Sequence, residues 1–129
     1  MDLRSETVLL LAKALSPCYL RVGGTMADFL FFNDTETRVN HSKPSKYATV
    51  DMSEYCCERK EKPVNFTMTA ELWNQLNEFV EATGWEMIFD LNVLIRKNGH
   101  WDPSNAISLL KYSASKGYKI TGFELGNGE

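Results

Sequence analysis

Apolar positions recur at helical spacing in three stretches and run almost unbroken in others, and the two patterns alternate along the chain. Val8, Leu9, Ala12 and Leu15 mark a helix over residues 5–15, with Ser5 as its cap. Pro17 ends it, because the residue before a proline is pushed out of the α region. Cys18 to Val22 then reads as a strand closed by Gly23, Gly24 and Thr25, and Met26 to Phe32 is a dense apolar and aromatic run. Leu72, Trp73, Leu76, Phe79 and Val80 form one stripe of a second helix over 68–83. Thr69 is its cap and Gly84 its left-handed stop. Trp85 to Asn92 has the continuous apolar centre of a strand covered on both faces. A third helix begins at Asp102 or Ser104 with Pro103 in its first turn, carries Ala106, Leu109, Leu110 and Tyr112, and stops at Gly117. Tyr118 to Asn127 is the last predicted strand. In it, Gly122 and Gly126 remove bulk where something must approach closely.

Between these periodic stretches, residues 33–67 are polar, hold Pro44 and Pro63, and show no sustained period. That is long for a connection inside a compact domain, so the stretch reads as an insertion or a linker-like segment. Helices alternating with strands predict an α/β fold with a parallel sheet. About three β/α units are present, whereas a complete (β/α)8 barrel takes about 250 residues. Part of a barrel and a small open sheet both fit the pattern.

Composition narrows the function classes. The 129 residues are 43% hydrophobic and 24% charged, a globular balance for one domain. A net charge of -3 gives no overall basic field, so neither nucleic acid nor an anionic membrane is an expected partner. The longest apolar run, Val8 to Leu11, is too short for a transmembrane segment, and the first six residues do not resemble a signal peptide. Cys18 is expected as a buried thiol. Cys56 and Cys57 have no partner at metal-ligand spacing, so zinc is not expected, and a bridge to another part of a longer protein is the alternative. No cofactor is expected.

The C-terminal ends of parallel strands are where α/β proteins place their chemistry. Three such ends offer candidates: Gly23 to Thr25, Asn92, and Asn127 to Glu129. Gly23 to Thr25 and Asn92 each have a plain reading as a turn. Asp90 and Glu86 read as solvated or paired carboxylates, and His41 and His100 stand without a nucleophile motif beside them. Asn33, Asn40 and Asn65 each open an N-glycosylation pattern within the polar stretch, which favours a secreted origin if that stretch is exposed. Lys60 and Lys62 belong to a short basic knot diluted by Glu58 and Glu61. It reads as solvated surface or as a contact for an anionic polysaccharide.

Three blocks carry a resemblance. Leu15 to Leu30, Ile88 to Arg96, and Ser115 to Ile120 followed by Phe123 to Asn127 resemble, in family order, the heparanases, retaining endo-β-glucuronidases of glycoside hydrolase family 79. The polar stretch is much less similar. The resemblance implies a partial (β/α)8 TIM barrel, heparan sulfate or a related glycosaminoglycan as substrate, and an extracellular or lysosomal glycoprotein. It also implies a precursor whose excised linker falls in the polar stretch. Thr25 matches a threonine lining the sugar site. Asn127 matches the asparagine before the general acid, which binds the sugar 2-hydroxyl in related barrels. Lys60 and Lys62 lie near the family's heparin-binding segment, which is richer in lysine.

The departure is at the tip. The family reads Gly-Asn-Glu-Pro, and this chain reads Gly126, Asn127, Gly128, Glu129. Gly128 occupies the general-acid position, and Glu129 is a carboxylate displaced by one residue. In a strand, such a shift sends the group to the opposite face. The family's nucleophilic glutamate comes from a later strand that this sequence does not contain. Retaining hydrolysis needs two carboxyls about 5–5.5 Å apart. The expectation is therefore a fragment of a heparanase-like hydrolase that is inactive as this isolated chain unless the remainder of the barrel is supplied in trans. A non-catalytic glycan-binding or regulatory fragment, and an unrelated small α/β domain, are the alternatives.

Overall fold

A computed structural model of the chain describes residues 2–34 and 65–127. Helix α1 spans Glu6–Ala14, strand β1 Tyr19–Val22, a single 3-10 turn Ala27–Phe29, and β2 Leu30–Asn33. After residue 64 come β3 (Phe66–Thr69), α2 (Ala70–Thr83), β4 (Glu86–Leu91), the short β5 (Arg96–Lys97) and β6 (His100–Trp101), α3 (Ser104–Lys116) and β7 (Gly122–Leu125).

The principal sheet has the order β1-β4-β7, all parallel. Paired residues of a parallel sheet share a face. Val22, Phe89 and Phe123 therefore form a row on one face, and Arg21, Ile88 and Gly122 a row on the other. The first face takes the helices. Met87 and Phe89 pack there with Ala12 of α1, Trp73, Phe79 and Val80 of α2, and Leu109 of α3. Trp73 is fully enclosed and meets the Phe89 ring edge-on at 4.8 Å. Its indole N–H donates to Ser113 Oγ at 3.0 Å, so one side chain ties α2 to both β4 and α3. Strands in sequential order with every helix on one face form an α/β arrangement compatible with a segment of a barrel. A doubly wound sheet would instead carry helices on both faces.

Several predicted boundaries are corrected. The second helix begins at Ala70, not at 68. Met68 and Thr69 belong to β3, which pairs in parallel with β2 from Leu30↔Phe66 to Asn33↔Thr69. Both edges of the polar stretch are thus strand, while its interior lies outside the described residues. Thr69 does cap α2, accepting from the Leu72 N–H at 3.2 Å, and Gly84 and Gly117 end their helices at φ 71° and 72°. Ser5 precedes α1 without a side-chain cap bond. Asp102 Oδ1 accepts from the Ser104 N–H at 2.9 Å and from the Ser104 hydroxyl, which holds its carboxyl below the usual range at the entry to α3. Cys18 is a half-buried free thiol rather than a fully enclosed one. Cys56 and Cys57 lie outside the described residues.

The β5–β6 hairpin is absent from the sequence reading. Its turn is Asn98-Gly99, with φ 55° and 80°, the paired positive values a two-residue hairpin turn demands. Trp101 folds back from it to donate its indole N–H to the Asn92 carbonyl at 3.0 Å.

Candidate functional site

Because β1, β4 and β7 run parallel, their C-terminal ends share one edge of the sheet. On the face away from the helices, Asp90 stands beside Glu124 in register, with Gly23 just past the end of β1. Arg21 reaches across this face. Its Nε donates to Glu124 Oε2 at 2.8 Å and its Nη2 to Asn127 Oδ1 at 3.1 Å. One guanidinium therefore spans from β1 to a residue two positions beyond the end of β7.

The predicted site residues fare differently. Thr25 is half-buried in the turn after β1, at the same sheet edge as Asn127, which is exposed. Asn92 is buried and braces the backbone. Its Nδ2 donates to the Leu30 carbonyl at 3.0 Å, and its Oδ1 accepts from the Leu94 N–H at 2.8 Å. Asn33 is half-buried at the end of β2, whereas Asn65 is exposed just ahead of β3. Glu129, Gly128, Lys60, Lys62 and Asn40 lie outside the described residues.

Asp90 departs most from its reading. Its place in the sequence predicts a solvated or paired carboxylate. It is instead fully enclosed, and neither carboxylate oxygen has a hydrogen-bond partner. Burial, then the neighbouring charges of Asp28 and Glu124, push its pKa from 3.8 to about 6, against the opposing pull of Arg21. The Gly126 N–H, which also bears on this carboxyl, makes its backbone bond to the Leu91 carbonyl at 3.0 Å. The sequence pattern does not mark Arg21 either. Its period-2 placement against Asp90 and Glu124 becomes visible only once the strand register is known.

Gly126 confirms the expectation of close approach. Its φ is 75°, and a Cβ there would stand 2.7 Å from Val93 Cγ1. At Gly122 the nearest atom would be an ordinary 3.9 Å away. Gly126→Ala should therefore destabilise the chain by roughly 2 kcal/mol, from clash and positive φ together. Urea unfolding would measure this, and the Asn127 side-chain amide resonances should shift as the tip moves.

A separate cleft of about 110 Å³ lies between β2 and the start of α3, lined by Phe31, Phe32, Asp34, Ile95, Asp102, Ser104, Asn105 and Ser108. It shares no residue with the strand-tip cluster. Among the described residues, no group of three His, Cys, Asp or Glu side chains is placed to hold a metal ion, and no helix is long and apolar enough to cross a membrane.

Parallel β/α units with polar groups gathered at the strand ends define an α/β protein whose polar cluster lies at the carboxyl edge of its sheet. The match that specifies it further is to the N-terminal domain of glycosyl hydrolase family 79, over residues 1–129, and the chain belongs to that family. It is 36% identical to the heparanase of Mus musculus and 33% identical to that of Gallus gallus, in each case over 97% of this chain and 28% of the relative. It is also 32% identical to the inactive heparanase-2 of Homo sapiens, with the same coverage. The baicalin-beta-D-glucuronidase of Scutellaria baicalensis is 29% identical over 98% of this chain and 26% of the relative. The chain thus spans a little over a quarter of the length of these relatives, which include a protein named inactive beside named hydrolases. Family membership excludes an unrelated small α/β domain.

Proposed function

We propose that this chain is the sugar-lining N-terminal part of a heparanase-like retaining hydrolase barrel acting on β-glucuronosyl linkages of heparan sulfate. The observation that carries the reading is Asn127 standing at the C-terminal end of the third of three sequentially ordered parallel strands. A family 79 match covers every one of those strands. Thr25 and Asn127 would contact the sugar, the latter at its 2-hydroxyl. Arg21 would fix the Asn127 carbonyl and so turn its amide N–H groups outward to donate. The protein would be secreted or lysosomal, and exposed Asn65 is better placed to carry a glycan than half-buried Asn33.

By itself the chain would not hydrolyse. Retention needs a proton donor and a nucleophile flanking one bond. Gly128 stands where the resemblance puts the donor, and the nucleophile belongs to a strand outside this sequence. Release of reducing ends from heparan sulfate by the purified chain should not exceed that of a heat-killed control, and turnover above it would overturn the proposal. Adding the remaining barrel strands in trans should be required for any activity.

A second reading, a non-catalytic glycan-binding fragment, is favoured by the similarity to a relative named inactive. Salt-dependent retention on immobilised heparin that disappears in Lys60→Ala/Lys62→Ala would support it. Retention unchanged by those substitutions would count against it.

A further inference from the structure

Asp90 is a buried acid whose carboxylate oxygens have no hydrogen-bond partner, and charged groups bear on it from three neighbouring elements. Asp28 faces it from the 3-10 turn, Glu124 from β7 and Arg21 from β1, while Glu86 on its own strand lies further back and exposed. Two carboxylates thus oppose one guanidinium. Ionised, a group so enclosed bears the cost of a desolvated charge. The protonated form avoids that cost.

Among the described residues, the cation bearing on Asp90 is Arg21, and it is occupied elsewhere, on Glu124 and Asn127. It is nevertheless adjacent. A Cβ built on Gly23 would lie 3.1 Å from Arg21 Cζ, 3.2 Å from Arg21 Nη2 and 3.2 Å from Asp90 Cβ. The guanidinium and the Asp90 side chain therefore flank a single point, and the missing side chain of Gly23 leaves the way between them open. Arginine carries five N–H donors, and its terminal torsions turn without backbone movement. A turn of the head group about those torsions would be the movement that exchanges one carboxylate for the other.

We propose that Asp90 is a positioning residue for the strand tip. Protonated, it leaves the Arg21 guanidinium on Glu124 and Asn127. Ionised, it draws that guanidinium to itself and releases the Asn127 side chain. The carboxyl O–H bond breaks and its proton passes to a solvent water; every other change is an exchange of hydrogen bonds. Only the consequence, that acid pH holds Asn127 oriented for a sugar hydroxyl, rests on the function proposed above. The exchange itself belongs to the unliganded chain.

The test is NMR of the isotopically labelled 129-residue chain between pH 4.5 and 8, without carbohydrate. The Arg21 Nε–Hε signal, assigned by its loss in Arg21→Lys, and the Asn127 side-chain amide signals should move together. Their common midpoint should lie near pH 6 and coincide with that of the Asp90 side-chain carboxyl carbon. In Asp90→Asn both signals should stay flat over that range while the backbone dispersion of the folded chain is retained. Signals that do not move, midpoints that differ by more than half a pH unit, or a transition that persists in Asp90→Asn would each refute the exchange. Should Asp90→Asn not fold, Glu124→Gln serves. Removing that negative charge and the competing acceptor must lower the Asp90 midpoint, and an unchanged or higher midpoint refutes the proposal. Failure to bind a heparan sulfate oligosaccharide would bear on the proposed function and leave this result standing.

Discussion

Trp73→Ala should abolish cooperative folding of the chain. Trp73 is wholly enclosed, stacks edge-on against Phe89 at 4.8 Å and donates to Ser113 at 3.0 Å. Truncation removes the largest apolar surface of the core and leaves a cavity between α2, α3 and β4, a change that costs roughly 3–5 kcal/mol. Ordinary domains have only about 5–15 kcal/mol of stability in all. Urea denaturation followed by far-ultraviolet circular dichroism should show a broad, early loss of structure. Trp73→Phe separates the causes. It keeps most of the ring and loses the hydrogen bond, while Ser113 keeps its bond to the Leu109 carbonyl at 2.8 Å. It should cost about 1–2 kcal/mol and leave the transition cooperative. A Trp73→Ala chain as stable as the wild type would show that the helix layer is held by something other than this side chain.

Asp90→Asn should become progressively more stable relative to the wild type as pH rises. The folded chain holds the Asp90 proton up to about pH 6, whereas an unfolded aspartate loses it near 3.8. Between those values the native state binds more protons than the unfolded state, so the Asp90 contribution is fully present below pH 3.8, falls through the window and levels off above pH 6. The difference corresponds to about 3 kcal/mol at most, and less where Arg21 turns to meet the ionised carboxylate. Asparagine mimics the protonated acid in shape and has no charge to lose. The stability difference between mutant and wild type should therefore grow by roughly 2–3 kcal/mol from pH 4 to pH 7 in paired urea titrations. Taking the difference cancels the carboxylates common to both chains, including Asp102, whose lowered pKa acts in the opposite sense. A constant difference across that range would show that Asp90 is ionised and accommodated in the folded chain.

Much of the architecture was readable from local chemistry. Thr69, Gly84 and Gly117 mark helix ends because a cap oxygen and a left-handed residue act within a few positions of themselves. The apolar centres of β4 and α2 announce burial through their period alone. β3 was hidden because its four residues show too little alternation and precede a strong helix without a break. The β5–β6 hairpin escaped for the same reason. Asn98-Gly99 is a strong turn signal, yet strands of two residues carry no period to flank it.

By itself, the sequence determined the family and the alternation of helices and strands, since these depend on residue identity in order along the chain. Only the tertiary structure decided which polar residues meet. Arg21, Asp90 and Asn127 are brought together by the parallel register of β1, β4 and β7, and no local pattern encodes a register between segments so far apart. The same holds for the Asp90 proton. An aspartate in water is acidic wherever it occurs, and its affinity for a proton rises here because folding removes the solvent and sets Asp28 and Glu124 beside it.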